Sequence, residues 1–156
     1  MRHTQDTNAR YRLLTFLVIV GVIYGYGVYA GVLADDEFES AKAEAAAIGV
    51  INDAREERGL APLPSDERLS AYAGNWSAEM ADSGFRHGEP FCSDGGENIA
   101  MRGVEGDSAT DVGEEIAEQW LNSKPHRESI MRPRWSRQGV GIVKTDEYVY
   151  STQQLC

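Results

Sequence analysis

Positive charge is what this chain has least of. Only three of its 156 residues are lysines, Lys42, Lys124 and Lys144, and the formal net charge is −10. Residues 1–34 hold three arginines and one aspartate, so residues 35–156 keep 12 basic against 24 acidic side chains, a net −12. A surface of that sign repels phosphate backbones, which excludes a nucleic-acid partner. Cysteine is also scarce: Cys92 and Cys156 are the only two, so one disulfide is the most the chain can form. Histidine occurs three times, at positions 3, 87 and 126. No two histidines stand at the i, i+4 spacing of a compact metal motif. No internal repeat and no low-complexity tract is present.

Long apolar runs are absent too, with one exception. Leu13 to Ala34 carries no charge and is bounded by Arg12 and Asp35. As a helix this run would be about 33 Å long, enough to cross a hydrocarbon core of roughly 30 Å. Arg2, Arg10 and Arg12 precede it, and Asp35, Asp36, Glu37 and Glu39 follow it. Basic flanks stay in the cytoplasm, so the C-terminal domain is expected outside. Tyr24, Tyr26 and Tyr29 fall towards the outer interface. The organisation expected is a cytoplasmic tail (1–12), a transmembrane signal-anchor (13–34), a juxtamembrane segment (35–44) and one domain (45–156). Cleavage near Ala34, which would release a secreted domain, is the alternative. Gly21/Gly25 and Gly27/Gly31 are spaced for a weak homodimer through the span.

Within the exterior portion, Phe38 to Arg58 reads as a helix with Ala47, Val50, Ile51 and Ala54 on its apolar stripe and Gly59 as its stop. Ser65 is the expected N-cap of a second helix running to about Ser83, with Leu69, Ala73, Trp76 and Met80 at helical spacing. The glycine-rich stretch from Phe85 to Asp107 reads as loop. A third helix covers about Ala109 to Leu121, Pro125 interrupts it, and a short turn carries His126. The runs 139–143 and 148–152 read as an antiparallel hairpin. Helices followed by strands in one small domain indicate an α+β fold. Two cysteines in an oxidising exterior make a Cys92–Cys156 disulfide the expected pairing, although spacing alone does not establish it.

His87, Glu97 and His126 are the residues with chemistry to offer. Two imidazoles and a carboxylate suit a divalent ion such as zinc, and serve equally for proton transfer or as hydrogen-bonded loop residues. The order of short motifs narrows this. Asn52-Asp53-Ala54-Arg55 precedes Gly59-Leu60-Ala61-Pro62-Leu63. Next come Leu69 through Ala73 to Met80, then Phe85-Arg86-His87 and Gly96-Glu97-Asn98-Ile99-Ala100. Trp120 to Arg127, Ile130-Met131 with Pro133, and Gly139-Val140-Gly141 complete the series.

Taken in this order, residues 45–156 resemble the CAP superfamily (cysteine-rich secretory proteins, antigen 5 and pathogenesis-related proteins), in its prokaryotic SCP-like branch. The resemblance implies a three-layer α-β-α sandwich. It also implies a central cleft in which His87, Glu97 and His126 occupy three of four family positions and the histidines bind a divalent metal. The fourth position, a glutamate in many eukaryotic members, is Ser123 here. That residue is a weak catalytic candidate as a nucleophile and is otherwise a capping or turn residue. Asn52 and Arg55 are expected to tie the first helix to a neighbouring loop, Asn98 to fix the turn presenting Glu97, and the three tryptophans to serve the core.

The function this resemblance favours is a non-enzymatic extracytoplasmic module that binds a small apolar or cell-envelope ligand, with a divalent metal in its cleft. An envelope hydrolase or peptidase using His87, Glu97 and His126 is one alternative. A structural or adhesion domain is the other.

Overall fold

In a computed structural model of the chain, residues 40–104 and 108–156 are described, and they form the elements of one α+β unit. Helix α1 covers residues 40–56. It is followed by α2 (Glu67–Ser83), strand β1 (Gly96–Gly103), α3 (Ala109–Asn122), the short α4 (Lys124–Ile130), β2 (Gln138–Lys144) and β3 (Tyr148–Leu155). The apolar run 13–34, with its expected membrane crossing, lies outside the described residues. Among those described, no helix is long and apolar enough to cross a membrane.

The strands make one antiparallel sheet in the order β1-β3-β2. Glu97 pairs with Gln154, and Gly139 also pairs with Gln154, so β3 is hydrogen-bonded on both edges. Side chains of a strand alternate between faces, so this register sorts the sheet. Glu97 and Ile99 share one face with Thr152, Gln154, Gly139 and Gly141. On that face lies α2, with Leu69, Ala73, Ser77 and Met80 buried at helical spacing. Glycines at 139 and 141 let the helix backbone come down onto the strand. A Cβ at 139 would collide with the backbone of Leu69 and Ser70, and one at 141 with that of Ala73 and Gly74. Ser77 uses the approach, its hydroxyl bonding the carbonyl of Gly141 at 2.9 Å and the Thr152 hydroxyl at 2.9 Å.

The opposite face carries Ala100, Val140, Ile142 and Val149, which pack into one core with α1, α3 and α4 through Ala47, Ile51, Ile116, Ala117, Trp120 and Ile130. The result is three layers, helix on sheet on helices. Leu63, Trp135 and Leu155 form a smaller apolar cluster at the end of β3.

Four sequence expectations are corrected here. The stretch 85–107 is not all loop: Glu97 and Asn98 sit in β1. Its Gly-flanked sequence, with Glu, Asn and Ala among its residues, has weak strand character, and pairing with β3 supplies the missing stabilisation. Asn98 therefore fixes no turn; its buried amide donates to Gln153 Oε1 at 2.7 Å. The N-cap of α2 is Asp66, whose carboxylate accepts from the N–H groups of Arg68 and Leu69. Ser65 instead makes a parallel bridge to Gln138. The turn holding His126 is the helix α4, with Pro125 near its start, where a missing N–H costs nothing.

The buried stripe of α1 runs Ala43, Ala47, Ile51 and, one turn on, Arg55. Arg55 is 1 % exposed, and its guanidinium donates to the carbonyls of Ala61 (3.0 Å), Ile130 (2.6 Å) and Arg132 (3.2 Å). Burial lowers its pKa without supplying a counter-ion. Asn52 braces the same region, accepting from Leu63 N at 2.8 Å and donating to Leu63 O at 3.1 Å. Gln138 links Asn52 to Gln153, which receives Asn98. A continuous chain of amides thus crosses the buried sheet from β1 to α1.

Candidate functional site

The segment after α2 positions the first histidine. Gly84 ends the helix with φ 103°, a backbone angle that side-chain-bearing residues rarely adopt, and its N–H caps Met80 O. The chain then runs back along the outer side of α2. Arg86 clasps it, donating to Gly84 O and to Glu79 Oε1, both at 3.0 Å, with its guanidinium 5.0 Å from the centre of the Trp76 ring. Trp76 Nε1 donates to Arg86 O at 3.2 Å. Gly88 lies so flat on the indole that a Cβ there would stand 2.6 Å from it. One turn earlier on α2, the Tyr72 hydroxyl donates to Glu89 O, and its ring meets Phe91 edge-on at 5.4 Å. Rows of residues four apart on one helix therefore hold the loop that carries His87.

Glu97 projects from β1 towards this loop. Its side chain is 4 % exposed, and that of His87 is 61 % exposed. Oε1 of Glu97 accepts from His87 Nδ1 at 2.8 Å and from Gly88 N at 2.9 Å, while Oε2 accepts from Gln154 Nε2 at 3.0 Å. An ionised carboxylate only accepts, so Nδ1 of His87 carries the proton. In the neutral ring this leaves Nε2 with its lone pair, the tautomer that a metal or a proton donor requires. Gln154 is held in turn by Phe91 N, which donates to its Oε1 at 2.9 Å.

His126 enters from α4, on the other layer. Its Nδ1 is buried and has no hydrogen-bond partner among the described residues. Burial lowers its pKa, and the charge of His87 lowers it further. His126 therefore resists protonation. Among the described residues no three His, Cys, Asp or Glu side chains stand together as a ligand set. Both oxygens of Glu97 are engaged by protein donors, one of them His87, so this carboxylate orients the His87 ring.

Ser123 stands between α3 and α4. Its hydroxyl makes no capping bond and no hydrogen bond to either imidazole. Cys92 and Cys156 form a disulfide, which closes the loop behind Phe91 onto the end of β3. Trp120 and Trp135 are buried, whereas Trp76 is half-exposed and serves the His87 loop. Sequence reasoning missed Gln154 and the Gly88 N–H. The sequence does carry a trace of the first: Gln153-Gln154 is a polar pair in an otherwise strand-like run, and such a pair needs partners if buried.

Comparison with known proteins agrees with this architecture. Residues 48–155 match the cysteine-rich secretory protein family, CAP. The uncharacterized protein YkwD of Bacillus subtilis is 31% identical over 113 residues, a match covering 63% of this chain and 41% of that protein. The chain thus spans less than half of that relative's length. Among solved structures, NaASP2 with Zn2+ superposes with a TM-score of 0.64 at 14% identity, over 74% of this chain and 80% of that one. An extracellular SCP-domain protein from Bacillus anthracis str. Ames gives 0.57 at 22% identity, over 74% and 40%. These likenesses are of fold. Together with the family match over most of the described residues, they establish that this chain belongs to the cysteine-rich secretory protein (CAP) family.

Proposed function

We propose that this chain is an extracytoplasmic, non-enzymatic binding module that holds a divalent cation between His87 and His126. The observation that carries the reading is the lock on His87. Two donors, Gly88 N and Gln154 Nε2, fix the Glu97 carboxylate, the carboxylate fixes Nδ1–H of His87, and the Nε2 lone pair is left free on an exposed ring. Carboxylate–histidine pairs of this kind raise ligand basicity and set ring orientation at zinc sites. His126 adds an imidazole kept neutral by burial, with an unpartnered Nδ1. Two nitrogen ligands favour zinc or a similar ion and leave positions for water or for a group of the bound molecule. That a relative by fold was solved with Zn2+ supports the reading.

Phe91, 41% exposed, lies one hydrogen bond from Gln154 and two from Glu97, with Tyr72 packed against it. An exposed aromatic ring near the His87–Glu97 pair suits a small apolar or envelope ligand. Residues 13–34 would hold the module at the membrane, with the cleft outside. Nothing at Ser123 favours the peptidase alternative.

Calorimetry tests the metal. Zinc added to the detergent-solubilised full chain at about pH 7.5, where neutral imidazole dominates, is expected to bind at one site. His87→Ala and His126→Ala should each abolish the heat, and Glu97→Gln should weaken affinity roughly 10- to 100-fold through loss of orientation. No heat from the parent chain, with no change on His126→Ala, would sink the proposal.

A further inference from the structure

Away from the cleft, the disulfide is not sealed into the core. Cys92 and Cys156 are both half-buried and line an open pocket of about 400 Å³ with Ser93, Asp94, Arg134, Trp135 and Arg137. Arg137 treats its two sides differently. Its Nε end lies 3.2 Å from Asp66 Oδ2, within ion-pair range but off the hydrogen-bond line. Its Nη2 is directed at Cys92 Sγ, 3.7 Å away. Arg134 is held over the Trp135 ring at 4.3 Å and donates to Asp94 O, which keeps its guanidinium on the same pocket wall.

The geometry points to a thiol–disulfide exchange site, with a protein dithiol as the substrate class and Cys92 as the leaving sulfur. A guanidinium beside a sulfur stabilises the thiolate over the thiol, and the sulfur with the lower thiol pKa leaves faster. Cys92 Sγ is the sulfur at which the Arg137 guanidinium is directed. Exchange therefore begins with an incoming thiolate attacking Cys156 Sγ from the pocket. The new bond joins that sulfur to Cys156, the Cys92–Cys156 bond breaks, and its electron pair leaves on Cys92 as a thiolate against Arg137. The second thiolate of the dithiol then attacks its own partner's sulfur in the mixed disulfide and expels Cys156 as a thiolate. The dithiol is oxidised to a disulfide by two electrons and the cystine is reduced by the same two.

The bond also holds the loop that carries His87. Phe91, next to Cys92, donates its N–H to Gln154, which donates to Glu97. Opening the cystine frees one end of that hydrogen-bonded series. Release of Cys92 is thereby coupled to the order of the His87 loop, whether or not a metal is present.

Glutathione is a suitable probe, because rapid alkylation of the released thiolate traps the mixed disulfide before a second thiolate resolves it. The folded full chain is incubated with it, alkylated and mapped by mass. The expected product has glutathione on Cys156 and alkylated Cys92. Arg137→Gln should slow the reaction roughly three- to tenfold, as expected for a leaving thiol with a higher pKa. Asp66→Asn should leave the rate equal or higher, since Asn keeps the N-cap and releases the guanidinium from its carboxylate. In the reduced chain the Phe91 amide should exchange its hydrogen at least about tenfold faster than in the oxidised chain. Glutathione found on Cys92, an unchanged rate in Arg137→Gln, or reduction only at the speed of global unfolding would each overturn the assignment. An unchanged Phe91 amide would overturn the coupling to the loop. The mapping on the parent chain stands even if Arg137→Gln does not fold.

Discussion

His126 and Arg55 show how single side chains here are governed by burial more than by partners. His126 has its pKa lowered first by burial and second by the charge of His87. The folded form then binds its proton less readily than the unfolded chain, whose histidine titrates near 6.5. Above that value both states are neutral, and the group contributes no pH dependence. As pH falls below it the unfolded chain gains the proton first, so stability is lost between 6.5 and the lower folded value. We expect denaturation midpoints of the parent chain to fall on acidification through this window. In His126→Gln the fall should be smaller. Equal slopes in the two chains would rule out this role for His126. Arg55 was legible in part: its type and its place before the Gly59–Leu63 turn suggested a tether. Its place on the core face of α1 was not, because a periodicity reading assigns charged residues to the solvent side.

At the scale of elements, the approach of α2 to the sheet decides where the site stands. The helix lies directly on β2 because residues 139 and 141 lack a side chain, and Ser77 bonds across the gap. Gly141→Ala should therefore force α2 away from β2 and loosen Ser77 from Gly141 and Thr152. We expect a loss of at least about 1–3 kcal/mol in chemical denaturation, the usual range for overpacking a tight interior. The clash is with backbone, which cannot swing aside as a side chain does. Gly74→Ala is the control, since a Cβ there meets no atom within 4 Å, and it should be near neutral or better. Equal losses in the two variants would show that helix packing is not the cause.

The helices and the hairpin were legible from apolar spacing and turn residues, within a few residues at their ends. β1 was not. Gly96-Glu97-Asn98-Ile99-Ala100 shows no sustained alternation, and its strand character comes from the ladder to β3, Gly96↔Leu155 through Gly103↔Tyr148. The same pairing carries β3 on to Leu155, beyond the expected end at residue 152.

Over the whole molecule, charge and location remain linked by one expectation. With basic residues before the run 13–34 and acidic ones after it, residues 35–156 are expected outside the cell. Protease added to intact cells should degrade the C-terminal domain after partial reduction of its disulfide. Degradation that waits for lysis would reverse the orientation. Loss of the anchor by cleavage near Ala34 would instead leave the domain in the medium.

What the sequence determined by itself was the family, the α+β class, the three residues worth watching and the only disulfide available. These follow from residue type, order and local periodicity, which a linear reading can see. The roles within the site were decided by tertiary structure alone. In sequence, Glu97 is one more candidate ligand. In the fold, Gln154 and the Gly88 N–H hold its two oxygens, and the carboxylate orients His87. Gln154 lies 57 positions from Glu97 and meets it because two antiparallel strands place them opposite each other. Spacing along the chain carries no record of such a contact. How a carboxylate presents its lone pairs depends on the donors that the fold brings to it.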